Sequence, residues 1–258
     1  MALFGRKKVT ATVGGTGGNP PESDQKNHPG HQAVLRHLRE QEKTEPGIRE
    51  ALAGRILFDF VCDLMKDERG VRIENLLAVL ASVGGQECLA PIIEAAAPAT
   101  TMEQLGLTVV KGNDGRMFFF GDAPNRLLVE SADSLISLAF GTAQALGAAV
   151  TMDMIHDEMR LVASRAGSAE FELLDLPDAH MVDRPTEWAR VFRRKLAAPM
   201  DLYDVPPMRR ATTIGNAIQR AMMAAKDSSD PMINARIVLQ CATRTAKVLI
   251  GETQAAAP

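Results

Sequence analysis

Apolar residues return every three or four positions through most of this chain, the period of amphipathic helices. Ile48, Leu52, Ile56 and Phe60 recur at four-residue steps, joined by Leu57, Val61 and Leu64. With Thr44 and Pro46 as start signals, they predict a helix to about Lys66 that buries a broad apolar face. Before it, Val34, Leu35 and Leu38 mark a short helix over 32–43. After it, helices are expected over 74–82 and 86–97, with Gly84-Gly85 as the break between them and Pro91 in the second. Met152, Ile155, Met159 and Val162 predict a helix over 152–165, and Trp188, Val191 and Phe192 predict one over 185–196. Residues 198–207 read as a linker. Two final helices follow over 208–226 and 231–250, the second opened by Asp230-Pro231.

The period changes at 107–120. Two short runs of β-formers, 107–111 and 116–120, flank Gly112-Asn113-Asp114-Gly115, whose residue types tolerate the positive φ of a hairpin turn. A third strand is expected over 170–176, with Phe171 and Leu173 on one face and Glu170 and Glu172 on the other. Between them, residues 131–147 form a small-residue helix with two rows, Ser137/Gly141/Ala145 and Ala139/Ala143/Gly147. Glycine inside a helix costs about 1 kcal/mol against alanine, so Gly141 points to close packing or to the approach of a ligand, and this helix is expected at the centre of the fold. The predicted class is α+β, predominantly helical, with about eight helices around a small antiparallel sheet made of the 107–120 hairpin and the 170–176 strand.

Composition sharpens this only in places. Aromatics are 4% of the chain, and Ala, Leu and Met carry the apolar content, which favours helix over sheet. Residues 1–30, with their Gly14–Gly18 stretch and Pro20-Pro21, read as a disordered tail rather than a phosphate-binding loop, because no helix follows the glycines. Residues 31–250 read as one globular domain, divisible into 31–99, 100–180 and 181–250, and 251–258 as a frayed end. The start has neither a signal-peptide h-region nor Gly at position 2. The window 132–150 is broken by polar residues and reads as a buried helix rather than a membrane span, leaving at most a weak membrane contact through Arg6, Lys7 and Lys8. Three widely spaced cysteines, Cys62, Cys88 and Cys241, without CxxC, fit free thiols in the cytoplasm.

Charge is split along the chain. Residues 100–180 hold five Lys/Arg against twelve Asp/Glu, and 181–258 hold twelve against seven. The two segments are expected to complement each other within or between subunits. The basic group Arg193, Arg194, Lys195, Arg209 and Arg210 lacks interleaved aromatics or any nucleic-acid-binding motif, which argues against nucleic acid as a partner.

Two constellations stand out as candidate chemistry. Asp122, Asn125 and Arg126 lie where a strand ends and a helix begins, where Asp and Asn can bond backbone N–H groups and Arg can hold an anion. Asp153, His156 and Asp157 share one helix face at i, i+3, i+4, a spacing able to hold a divalent cation. His28, His31 and His37 are read as solvated. There is no GxSxG, HExxH, Walker lysine or kinase set, and no residue pattern names a cofactor. The expectation is a cytosolic, non-enzymatic interaction or regulatory protein that self-associates; the alternative is an enzyme of unfamiliar type using one of these two sites.

Overall fold

The computed structural model describes residues 26–250, and the readings made for 1–25 and 251–258 lie outside them. Among the described residues there are eight helices of eleven residues or more and one two-stranded antiparallel sheet. They are α1 (Pro29–Gln41), α2 (Ile48–Met65), α3 (Ile73–Glu94), α4 (Leu135–Ala145), α5 (Met152–Arg165), α6 (Pro185–Leu202), α7 (Arg210–Ala224) and α8 (Pro231–Thr245). The strands β1 (Leu107–Lys111) and β2 (Met117–Gly121) fall between α3 and α4.

The centre is α3, not the 131–147 helix. Leu76 through Ile92 are buried without a break, so this helix has no polar face and hides its period from a sequence reading. It packs against α6, α7 and α8. Gly84-Gly85 lie inside it and do not end it. A Cβ on Gly84 would come within 2.8 Å of Leu135, and one on Gly85 would collide with Thr245 Oγ1 and the Ala242 carbonyl. Gly85 therefore lets the backbones of α3 and α8 touch, while Gly84 makes room for the side chains of Leu135 on α4 and Ile214 on α7. Among the described residues α3 is also the helix long and apolar enough to cross a membrane, and 94% of that apolar window is buried inside the protein.

The outer helices correct several expectations. Helix α1 starts at Pro29, inside the stretch expected to be disordered, and the His28 ring caps it by accepting from Gly30 N at 3.2 Å. His31 is not merely solvated, since its Nε2 lies 2.7 Å from the Leu202 carbonyl oxygen. Helix α6 runs through Pro199 to Leu202, over part of the expected linker. In α2 the buried row is Glu50, Ala53, Gly54, Leu57 and Val61, displaced from the four-residue row seen in sequence. In α4, Gly141 is exposed and a Cβ there would meet nothing within 4 Å, so close packing inside the fold does not explain it.

The hairpin forms as its turn chemistry predicts, with Val109 opposite Phe119 and Gly115 at φ 83°. Phe118 and Phe119 point to opposite faces of β2. Phe119 joins Leu89, Ile92 and Leu107, while Phe118 packs with Val162, Val248 and Phe171, the last edge-to-face at 4.9 Å between ring centres. Residues 170–176 are not a third strand. Ala169–Glu172 is a 3₁₀ turn, and the carbonyls of Phe171 and Leu173 accept from Arg244, at 2.8 Å each, instead of from a neighbouring strand. Phe171 is fully buried while Leu173 is 57% exposed, which breaks the expected shared face.

The place beside β2 is taken by the segment that follows α8. Phe118 bridges Val248, and Phe119 N donates to the Lys247 carbonyl at 2.8 Å. Gln86, from the middle of α3, holds this segment from beneath. Its Nε2 donates to the carbonyls of Thr245 and Val248, and its Oε1 accepts from Ile250 N at 3.0 Å.

Candidate functional site

Helices α2 and α7 run side by side in the same direction, Glu50 beside Arg209 and Gly54 beside Thr213 and Asn216. A Cβ on Gly54 would stand 2.7 Å from the Thr213 carbonyl oxygen and from Asn216 Cβ, so glycine sets how closely the two helices approach. Towards their N-termini the chain enters through Pro46-Gly47 on one side and the Pro207–Arg209 3₁₀ turn on the other. The turn before α4 closes the third side. A cleft of about 750 Å³ opens there, lined by Glu42, Glu50, Asp133, Leu138, Arg209 and Asn216 among others.

Arg209 spans it. Its Nε donates to Glu50 Oε1 at 2.5 Å and its Nη1 to Asp133 Oδ2 at 2.6 Å. Burial pulls the Arg209 pKa down, but the bonds from Glu50 and Asp133 outweigh it and raise the value. Burial pushes the Asp133 carboxyl up, while Arg209 and Ser131 hold it below its ordinary value. Glu50 is only 6% exposed, and its second carboxylate oxygen accepts no hydrogen bond. Behind it, Arg49 grips Glu42 with two bonds of 2.6 and 2.7 Å and donates to the Tyr203 carbonyl. Thr212 donates to the Asp133 carbonyl at 3.0 Å, and the half-buried Asn216 lines the cleft with its amide making no hydrogen bond among the described residues.

The residues singled out in the sequence lie elsewhere. Asp122 and Arg126 are exposed at the two ends of a single helical turn, Asp122–Asn125. Asn125 turns inward, its Oδ1 accepting from Lys247 Nζ at 2.7 Å. Asp153, His156 and Asp157 are all exposed on α5, and Asp157 is paired with Arg160 at 2.5 Å. Among the described residues no three His, Cys, Asp or Glu side chains group as a metal site. Sequence reasoning missed Glu50 and Asp133 and saw Arg209 only as part of a basic cluster. Three of its five members are turned onto carboxylates of the same chain, Arg209 on Glu50 and Asp133, Arg210 on Asp201, and Arg193 on Glu87 and Glu94.

Three further side chains are chemically unusual. Cys88 and Cys241 are fully buried, and burial raises both thiols far from thiolate character. Lys247 is 4% exposed, and burial lowers its ammonium to about 8, partly opposed by Cys88 and Glu130.

No family model matches the chain, and neither a curated protein nor a solved structure matches it.

Proposed function

We propose that this chain is a cytosolic, non-enzymatic interaction protein that associates with a second copy of itself along α2. The observation that carries the reading is the outer row of that helix. Leu52 and Ile56 are half-buried, Phe60 is 37% and Leu64 40% exposed, all at four-residue steps. The opposite side of α2 is covered by the core, so this row is apolar surface that the described residues leave partly open.

The row is also self-complementary. An antiparallel copy centred between Ile56 and Phe60 sets Leu52 against Leu64 and Ile56 against Phe60, as a two-fold interface requires. Arg55 then flanks Asp59 and Asp63 of the copy, and among the described residues none of these three makes an ion pair. Three free thiols, Cys62, Cys88 and Cys241, support the cytosolic part of the reading. The enzyme alternative draws no comparable support, because Asp122/Asn125/Arg126 and Asp153/His156/Asp157 occupy separate, largely exposed surfaces.

Light scattering across a concentration series tests the proposal. A concentration-dependent dimer is expected, reduced to monomer by Phe60→Asp with Leu64→Asp and weakened by Arg55→Asp. A wild-type protein that stays monomeric at every concentration would remove the reading.

A further inference from the structure

We infer that the cleft at the N-terminal ends of α2 and α7 is a binding site for a small aliphatic amine. This is a ligand site in addition to the self-association surface, and it stands on different residues.

Charge selects the class. The side chains facing the space are Glu42, Glu50 and Asp133 against the single cation Arg209. Arg49 neutralises Glu42 from behind, which leaves one net negative charge around the space. The partial positive charge of the helix ends is already met by Glu50 in the first turn of α2 and by Asp133 just ahead of α4. An added anion would face two carboxylates at close range, whereas an ammonium would complete the charge balance.

Hydrogen bonding points the same way. Glu50 is more than nine-tenths buried, yet Arg209 satisfies only one of its oxygens. The other oxygen is open to the cleft, where solvent can reach it, and an N–H donor from a ligand is the group that fits it. The Asn216 amide, unpartnered on α7, offers an acceptor for a second donor. Leu138, Ala51 and Pro46 supply apolar wall between these polar points, suited to a short methylene chain. The ligand class is therefore an unbranched amine with a donor at one or both ends.

The probe is 1,4-diaminobutane, with succinate and 1,4-butanediol as anionic and neutral counterparts of the same length. Binding is followed by calorimetry and by the rise in melting temperature at low ionic strength. The measurement is made on wild-type protein and on the Phe60→Asp/Leu64→Asp variant, so that failure of self-association and failure of this site are separately visible. The diamine is expected to bind both proteins, and Glu50→Gln and Asp133→Asn are each expected to weaken it by about ten-fold or more. Asp133 is half-exposed, so its variant keeps the test open if Glu50→Gln fails to fold. Tighter binding of succinate than of the diamine would overturn the assignment. So would binding of neither, or diamine binding that both carboxylate variants leave unchanged.

Discussion

Arg244 on α8 and Glu158 on α5 form an ion pair from which water is excluded, Arg244 at 0% and Glu158 at 7% exposure. The same guanidinium donates to the carbonyls of Phe171, Leu173 and Gln240. One cation thus satisfies a carboxylate and three backbone acceptors drawn from three parts of the chain. Truncating it strands Glu158 and the Phe171 and Leu173 carbonyls at once, while the Gln240 carbonyl keeps its place in the α8 ladder. Arg244→Met is expected to destabilise the protein by about 3–5 kcal/mol, read as a lower urea midpoint. A loss under about 1 kcal/mol would show that water reaches this pair.

Lys247 sets a pH dependence with an unusual sign. Its folded pKa of about 8 lies below the ordinary 10.5, so between these values the unfolded chain binds more protons than the folded one. Its contribution to stability therefore rises with pH across that window, by about 3 kcal/mol in all. The buried Cys88 and Cys241, with raised pKa values, act in the opposite direction above about pH 9. Comparing wild type with Lys247→Met isolates the lysine. Their stability difference, from chemical denaturation at pH 7.5 to 10 (chosen to cover about the window above), should shift steadily in favour of wild type.

Two glycine substitutions should have opposite signs. Gly85→Ala drives a methyl group into the Ala242 carbonyl and Thr245, and a loss of about 2 kcal/mol or more is expected in thermal unfolding. Gly141→Ala, on an exposed helical site with open space around its Cβ, should gain up to about 1 kcal/mol.

The turn after β2 divides by side-chain direction. Asp122→Ala and Arg126→Ala alter exposed groups and should move stability by less than about 0.5 kcal/mol. Asn125→Ala removes the hydrogen-bond acceptor of the buried Lys247 and should cost about 1–2 kcal/mol. Equal effects from the three variants would contradict this division.

Local chemistry made the hairpin legible, because Gly112-Asn113-Asp114-Gly115 specifies its turn without help from the rest of the chain. The span of α2 was legible for a similar reason, its period being strong and its end well marked. Its buried row was not, because Gly54 brings α7 against one side and leaves Phe60 and Leu64 outside. Gly84-Gly85 read as a break because a breaker and a close-approach site have the same composition; only the partner helix tells them apart. The alternation at 170–176 misled because Arg244, some seventy residues later, supplies the hydrogen bonds a strand would have needed. The cleft was out of reach altogether. Glu50 and Asp133 stand 159 and 76 residues from the Arg209 that joins them, and no local pattern connects such distances.

The segment beside β2 has a consequence for the order in which the molecule is made. Gln86 meets Val248 across 162 residues, and the edge of the hairpin is covered only when that segment arrives. A chain emerging from the ribosome exposes this side of β2 until residues 247–248 have been made. Contacts of such long range delay the final closure, and an uncovered strand edge meanwhile invites pairing with other chains. Truncation before Lys247 should therefore lower the soluble yield during synthesis by more than the lost hydrogen bonds alone would suggest.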